Sequence, residues 1–245
     1  MPCSSMRRRP RVVVEDAAHA LGASTPDGRV GNCARSDMCC FSFHPVKPIT
    51  TAEGGMVTTN DERAAAFIRT ASLHGMSRDA WMRYAPGGRS DYDVVMPGFK
   101  YNMMDLQAAI GLHQLAALEE RYAQRDAVWA AYDAAFARLP LRLPAPTRAG
   151  DRHARHLYTV LVDEGVAGIS RDELQRRLAA RGVSTSIHFR ALHLHPYYQE
   201  RFGYTRGMFP AAEAVSDTTL SLPLAAGMHA DTVDRVIEAV HDSFI

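Results

Sequence analysis

The chain has 245 residues, 47% of them hydrophobic and 22% charged, with a formal net charge of +1. That composition suits a globular protein of one large or two smaller domains with a core of its own. The near-neutral balance excludes the basic field that nucleic acid or an anionic membrane surface calls for, and Arg7-Arg8-Arg9 is short enough to read as a solvated arm.

Residues 11–14 form a short β-branched run that ends in Glu15-Asp16, read as a buried strand with carboxylates at its C-terminal end. A second strand, rich in Cys and Phe, is expected over 37–43. Gly54-Gly55 breaks the chain before a third short strand over 56–59. Asn60 and Asp61 offer caps to a helix over 61–71. Residues 74–98 read as a long surface loop in which Trp81 and Tyr84 either cover a pocket or are plain surface. From 104 to 139 the periodicity predicts two helices or one bent one. Three prolines follow over 139–150 and place a domain boundary there, giving domains of 1–139 and 140–245. The second domain reads as a strand over 156–162, a helix over 170–181 opened by the capping box Ser170-x-x-Glu173, a strand over 184–188, a short helix over 197–202 and a terminal amphipathic helix over 230–245. The chain is therefore α/β.

Of the 28 basic residues only Lys47 and Lys100 are lysines, so any task that needs a primary amine has two candidates; arginine cannot take it, because its guanidinium does not lose its proton. Lys47 lies just past the second strand, between Pro45 and Pro48 and ahead of Gly54-Gly55. Strand ends of open α/β sheets are where ligands bind, and an amine held there can form a Schiff base with a carbonyl cofactor; an exposed loop lysine is the plain alternative. Asp16 should emerge at the same sheet edge. A carboxylate there can keep the pyridinium nitrogen of pyridoxal 5'-phosphate (PLP) protonated, or it can simply cap a helix. Ser42 can donate to a phosphate or serve as a core hydroxyl. His19 can face the cofactor ring or be an ordinary half-buried histidine. No GxGxxG follows a strand, no HExxH pair occurs, and Cys3, Cys33, Cys39 and Cys40 lack zinc spacing, which favours a reduced, cytoplasmic protein. No stretch is long and apolar enough to span a bilayer, and no secretory-type apolar segment follows the N-terminal arginines.

Taken together, Glu15-Asp16-Ala-Ala-His19, Phe41-Ser42-Phe-His-Pro-Val-Lys47, Glu53-Gly-Gly-Met56 and Gly98-Phe-Lys-Tyr-Asn102-Met-Met-Asp105 resemble the sugar aminotransferases of the DegT/DnrJ/StrS type, in order and spacing. His188-Phe-Arg190-Ala-Leu-His193 and Ser221-Leu-Pro-Leu224 lean toward the branch that aminates UDP-4-keto-arabinose, and so toward amination at C4. The resemblance implies the aspartate-aminotransferase-like fold (fold type I): the C-terminal half of the large domain plus a small α+β domain. It implies Lys47 as the lysine that holds PLP, Asp16 as pyridinium partner, His19 beside the ring, Ser42 on the phosphate, and Asn102 reaching the phosphate of a neighbouring subunit in a homodimer. It implies His193 and Arg190 in the substrate pocket, a nucleotide-linked keto-sugar as amino acceptor and glutamate as donor. Members of the family start well upstream of the Asp16 strand, with a Ser-Gly-Thr-type phosphate loop and an aromatic ring that stacks on the cofactor; residues 1–11 resemble neither. The expectation is an N-terminally truncated chain whose 11–14 and 37–43 strands show apolar faces and open edges. A catalytically inactive remnant or PLP-binding module is the alternative function.

Overall fold

The computed structural model of the protein describes residues 12–77 and 92–245. It divides into two compact units, Met1–Leu118 with Ala149–Ala154, and Glu119–Arg148 with Arg155–Ile245. The division falls at the start of a long helix and not in the 139–150 stretch, because that helix gives its apolar side chains to the second unit's core.

The first unit is built on a three-stranded sheet of β1 (Val14–Asp16), β4 (Met38–Ser42) and β5 (Gly55–Thr58), in the order β1-β4-β5. β1 and β4 are parallel and β4 and β5 antiparallel. Between β1 and β4 the chain makes a small hairpin, β2 (Ser24–Thr25) and β3 (Gly28–Arg29). α1 (Glu62–Ser72) starts where Asp61 predicts, its carboxylate accepting from the Arg63 and Ala64 amides. Further on, Leu73 pairs with Lys100 and Met76 with Val94. Trp81 and Tyr84 lie outside the described residues. α2 (Asp105–Ala116) then leads to α3 (Leu118–Phe136), so of two helices or one bent one the chain forms two.

In the second unit β6 (Tyr158–Leu161) pairs antiparallel with β7 (Thr219–Leu222). Around them lie α4 (Glu164–Ala167), α5 (Arg171–Ala180), α6 (Pro196–Phe202), α7 (Pro210–Thr218) and α8 (Ala230–Asp242). The core joins Trp129, Tyr132 and Phe136 of α3, Tyr158 and Val160 of β6, Leu174 and Leu178 of α5, Leu220 of β7, and Val236 and Val240 of α8. The two buried phenols are satisfied: Tyr158 donates to Asp133 at 2.8 Å and Tyr132 to the Pro223 carbonyl at 2.9 Å. Among the described residues no helix is long and apolar enough to cross a membrane.

Three sequence expectations change. β1 is exposed along its length and not buried as the strand reading has it, in line with the open edge expected of a truncated chain; no strand lies on its outer edge among the described residues. No strand forms over 184–188. Only Ser186 pairs with Ser221, and the His188 carbonyl accepts from the Thr219 hydroxyl in place of a ladder bond. The capping box is half made. Ser170 accepts from the Glu173 amide at 3.2 Å, but the Glu173 carboxylate turns to Arg176 and Arg177, the opposite charges one turn on.

Leu178 is fully buried in the second core. Leu178→Ala should destabilise that unit by about 2–5 kcal/mol, transfer and cavity costs combined. The exposed Val166→Ala should shift it by less than about 0.5 kcal/mol. Denaturant midpoints followed by Trp129 fluorescence would test the pair; equal shifts would mean the core is wrongly identified.

Candidate active site

The site begins with strand register. β1 and β4 pair Val14 with Met38, Glu15 with Cys39 and Asp16 with Cys40. Side chains alternate along a strand, so Asp16 shares one sheet face with Cys40 and Ser42, while Glu15 shares the other with Cys39 and Phe41. The second face shows the pairing directly: the Cys39 thiol is pushed up to about 12, first by burial and then by the neighbouring Glu15 carboxylate. It is not a reactive thiolate.

Beyond β4 the chain enters the loop that carries Lys47, with Phe43 and Ile49 buried on either side of it. The Phe43 carbonyl accepts from the Thr51 amide and the Thr50 hydroxyl, both at 3.0 Å, and the Phe43 amide donates to Gly54 at 2.9 Å. Within that frame the Lys47 amide donates to His44 at 2.9 Å, and Pro45 and Pro48 stiffen the turn. α2 fastens the far side. The Gln114 side chain accepts from the Thr50 amide at 3.1 Å and donates to the Thr50 carbonyl at 2.9 Å, and Gln107 donates to the Glu53 carbonyl at 2.9 Å. A Cβ on Gly111, between them, would stand 2.9 Å from the buried Thr51 side chain, so the helix approaches this closely because residue 111 is glycine. Sequence reasoning missed the two glutamines. Their signal was available: they are seven residues apart, hence on one helix face.

Lys47 is half-buried, and its amine is lowered from the ordinary lysine range by desolvation, with the Asp16 carboxylate acting in the opposite direction. Asp16 ends β1 with its side chain exposed, Oδ1 accepting from the Ala18 amide at 3.0 Å. Ser42 ends β4 half-buried, its hydroxyl accepting from the His44 amide at 3.4 Å. His19 is half-buried in the turn after β1. The structure thus gathers Asp16, Ser42 and Lys47 at the C-terminal ends of two adjacent parallel strands. A desolvated amine, an acid in electrostatic reach of it and a hydroxyl on the same face fit what PLP requires of a protein.

The remaining predicted residues lie elsewhere. Asn102 precedes α2 and accepts from the Lys100 ammonium at 2.6 Å. Arg190 and His193 belong to the second unit. Arg190 is exposed and donates to the Leu194 carbonyl at 2.8 Å. His193 is only 6% exposed; its Nε2 lies 2.8 Å from Glu213, and its ring packs on Phe209. The Glu213 carboxyl is held below the ordinary range, chiefly by the Gly207 amide that donates to it.

Comparison with known proteins gives a consistent result. The DegT/DnrJ/EryC1/StrS aminotransferase family is matched over residues 7–241. The spore coat polysaccharide biosynthesis protein SpsC of Bacillus subtilis is 46% identical over 231 residues, covering 94% of this chain and 59% of SpsC. Among solved structures, a candidate sugar aminotransferase of Streptococcus pneumoniae, Spr1654 in its PMP-form, superposes with a TM-score of 0.83 at 31% identity, over 95% of this chain and 57% of its own. PseC of Helicobacter pylori, an aminotransferase involved in the biosynthesis of pseudoaminic acid, does so with a TM-score of 0.83 at 27% identity, over 94% and 59%. The chain therefore spans somewhat under three fifths of the length of these relatives.

Because desolvation lowers the Lys47 pKa and Asp16 raises it, Asp16→Asn should lower it further. The neutral amine is the form that reacts, so acylation of Lys47, followed peptide by peptide against Lys100, should begin at lower pH in Asp16→Asn than in the parent chain. An unchanged or upward-shifted profile would show that the two groups do not communicate.

Proposed function

The chain belongs to the DegT/DnrJ/EryC1/StrS aminotransferase family, and from that premise we propose that it forms the cofactor-anchoring part of a PLP-dependent sugar aminotransferase. The reaction proposed is transfer of the amino group of glutamate to the keto group of a nucleotide-linked sugar. The observation that carries this reading is a desolvated Lys47 amine, in the loop after β4, within electrostatic reach of Asp16 at the end of the neighbouring β1.

Bound there, PLP supplies the electron sink that lets a carbon next to nitrogen lose its proton. The chain's own residues do the rest. Lys47 Nζ, kept toward its neutral form by desolvation, is the nucleophile that would hold the cofactor and the base that would take and return the proton. Asp16 would keep the ring nitrogen protonated, and Ser42 would donate to the phosphate. His19 is assigned to the ring's phenolic side. Arg190, exposed on the second unit, is the cation assigned to an anionic group of the substrate. His193 we assign a supporting part, since its imidazole is engaged by Glu213.

A second copy of the chain is the proposed partner. Leu106 and Leu112 of α2 are 72% and 71% exposed, with Tyr101 and Met104 exposed just before them, and exposed apolar patches of this kind mark interaction surfaces. Asn102 lies in the same stretch, where it would reach a neighbour's phosphate. The described cysteines are all free, as suits the reducing cytoplasm we assign to the protein. The alternative, a chain that holds the cofactor without turnover, is favoured by the exposure of β1.

Borohydride reduction of the chain with PLP, followed by peptide mapping, should label Lys47 saturably and lose the label in Lys47→Ala. Indifferent labelling of Lys47, Lys100 and the N-terminus would sink the cofactor assignment. If glutamate converts the bound cofactor in a parallel, unreduced sample, the transaminase reading holds; if labelling occurs without conversion, the alternative does. For the partner, Leu112→Glu should shift the chain from dimer to monomer in analytical ultracentrifugation, and a parent chain that sediments as a monomer would refute the dimer.

A further inference from the structure

In the second unit α6 presents two neighbouring rows of side chains. Residues four apart on a helix lie side by side, so Tyr198 neighbours Phe202, and Tyr197 neighbours Arg201. The first row belongs to a ladder of rings. Tyr198 and Phe202 stack with centroids 6.1 Å apart and 23° between their planes, and Phe202 and Tyr204 do so at 5.6 Å and 23°. Tyr204 then meets Phe209 edge-on at 5.6 Å. Gly203 makes the turn between them, ending α6 at φ 68°, a left-handed conformation that glycine takes without strain. The far end is fastened: the Gly207 and Phe209 amides donate to Glu213, and the Phe209 ring packs on His193 at 4.8 Å. The ladder is therefore a preorganised surface, and such a surface binds at low entropic cost.

The second row is open. Tyr197 is 64% exposed, and its ring contact is with Tyr198, at right angles with centroids 5.3 Å apart, which leaves at least one face of Tyr197 to solvent. Arg201 is exposed, its guanidinium carbon 5.7 Å from the Phe202 centroid. The carboxylates that form ion pairs in this segment, Glu213 and Asp217, face Arg206 and His193 instead. α6 thus holds a free ring face and a free cation one helical turn apart.

We propose that Tyr197 and Arg201 form a site for a nucleoside phosphate, with the base stacked on the Tyr197 ring and the phosphate paired with the Arg201 guanidinium. Every base has a π-face that an exposed aromatic ring can take, and a guanidinium binds phosphate through two parallel hydrogen bonds. A purely apolar partner would leave the cation without a role, and an inorganic or sugar phosphate would leave the ring without one. The nucleotide comes either from the nucleotide-linked acceptor of the proposed reaction or from a free nucleotide. The inference rests on the proposed function only for that source.

The test is isothermal titration of the full chain at low ionic strength with uridine 5'-monophosphate, and with uridine and ribose 5-phosphate as its two halves. The nucleotide should bind 1:1, and each half at least about tenfold more weakly. Tyr197→Ala should weaken the nucleotide about fivefold or more, the lower end of what stacking on one ring contributes, while Tyr197→Trp should retain it. Arg201→Gln should weaken the nucleotide and leave uridine unchanged, a difference that a merely misfolded variant would not show. No saturable binding, binding indifferent to Tyr197→Ala, or equal losses of nucleotide and uridine in Arg201→Gln would each overturn the proposal. Competition by UDP-glucose separates the sources: displacement of the monophosphate assigns the site to a nucleotide-linked sugar, and binding of the monophosphate without displacement assigns it to a free nucleotide, the site being upheld in both cases. Nucleotide binding by a chain that does not label at Lys47 would leave this site standing and count against the cofactor assignment alone; labelling without nucleotide binding would do the reverse.

Discussion

Everything that gives this chain a recognisable site depends on the parallel pairing of β1 with β4. A shift of one residue in that register would turn Asp16 to the face that holds Cys39 and Phe41, and would bring Glu15 round beside Ser42. The carboxylate would then be on the wrong side of the sheet from the loop that carries the lysine. Register is held at both ends of the pair, by Asp37 on Val13 and by the Ala17 amide donating to Cys40 at 2.9 Å. Such fastening is needed in a strand of three residues whose outer edge, among the described residues, pairs with no strand.

The lysine loop solves a different problem. Desolvation of an amine favours its neutral, nucleophilic form, and a nearby acid favours its charged form. Here the two influences oppose each other on one group, burial lowering and Asp16 raising. The balance depends on distance, and distance depends on a loop that would be mobile if it were not tied. Gln107 and Gln114 tie it through backbone atoms of residues 50 and 53, leaving the side chains of residues 44–48 to the site. α2 therefore fixes the loop that carries Lys47 through backbone atoms alone.

The sequence disclosed these features unevenly. Lys47 stands out in the sequence because lysine is nearly absent from the chain, and Asp16 because it closes a β-branched run. Helix starts at Asp61 and Ser170 were legible because caps are local chemistry. What was missed is tertiary. The Glu173 carboxylate had a choice between the Ser170 amide and two arginines, and charge decided. Residues 184–188 have strand-like composition, but the side chains of β7 take their place in the pairing. α7 and β7 lie in a stretch whose periodicity announces neither, and β7 is buried at all four positions by contacts from distant parts of the chain.

His193 shows where a motif and a side chain part company. The motif around it carries the family likeness, and position in the chain follows from that. What the imidazole does depends on its neighbours: Glu213 faces its Nε2, Phe209 covers its ring, and Glu213 in turn receives the Gly207 and Phe209 amides. A buried carboxylate that receives the Gly207 and Phe209 amides fixes the turn over 207–209 more firmly than it serves a ligand, and without Glu213 the buried His193 Nε2 would lose this partner. The exposed cation nearby, Arg190, has no such obligation beyond one carbonyl. Within this segment the physical division of labour is therefore that the buried histidine holds the shape and the exposed arginine meets the solvent side.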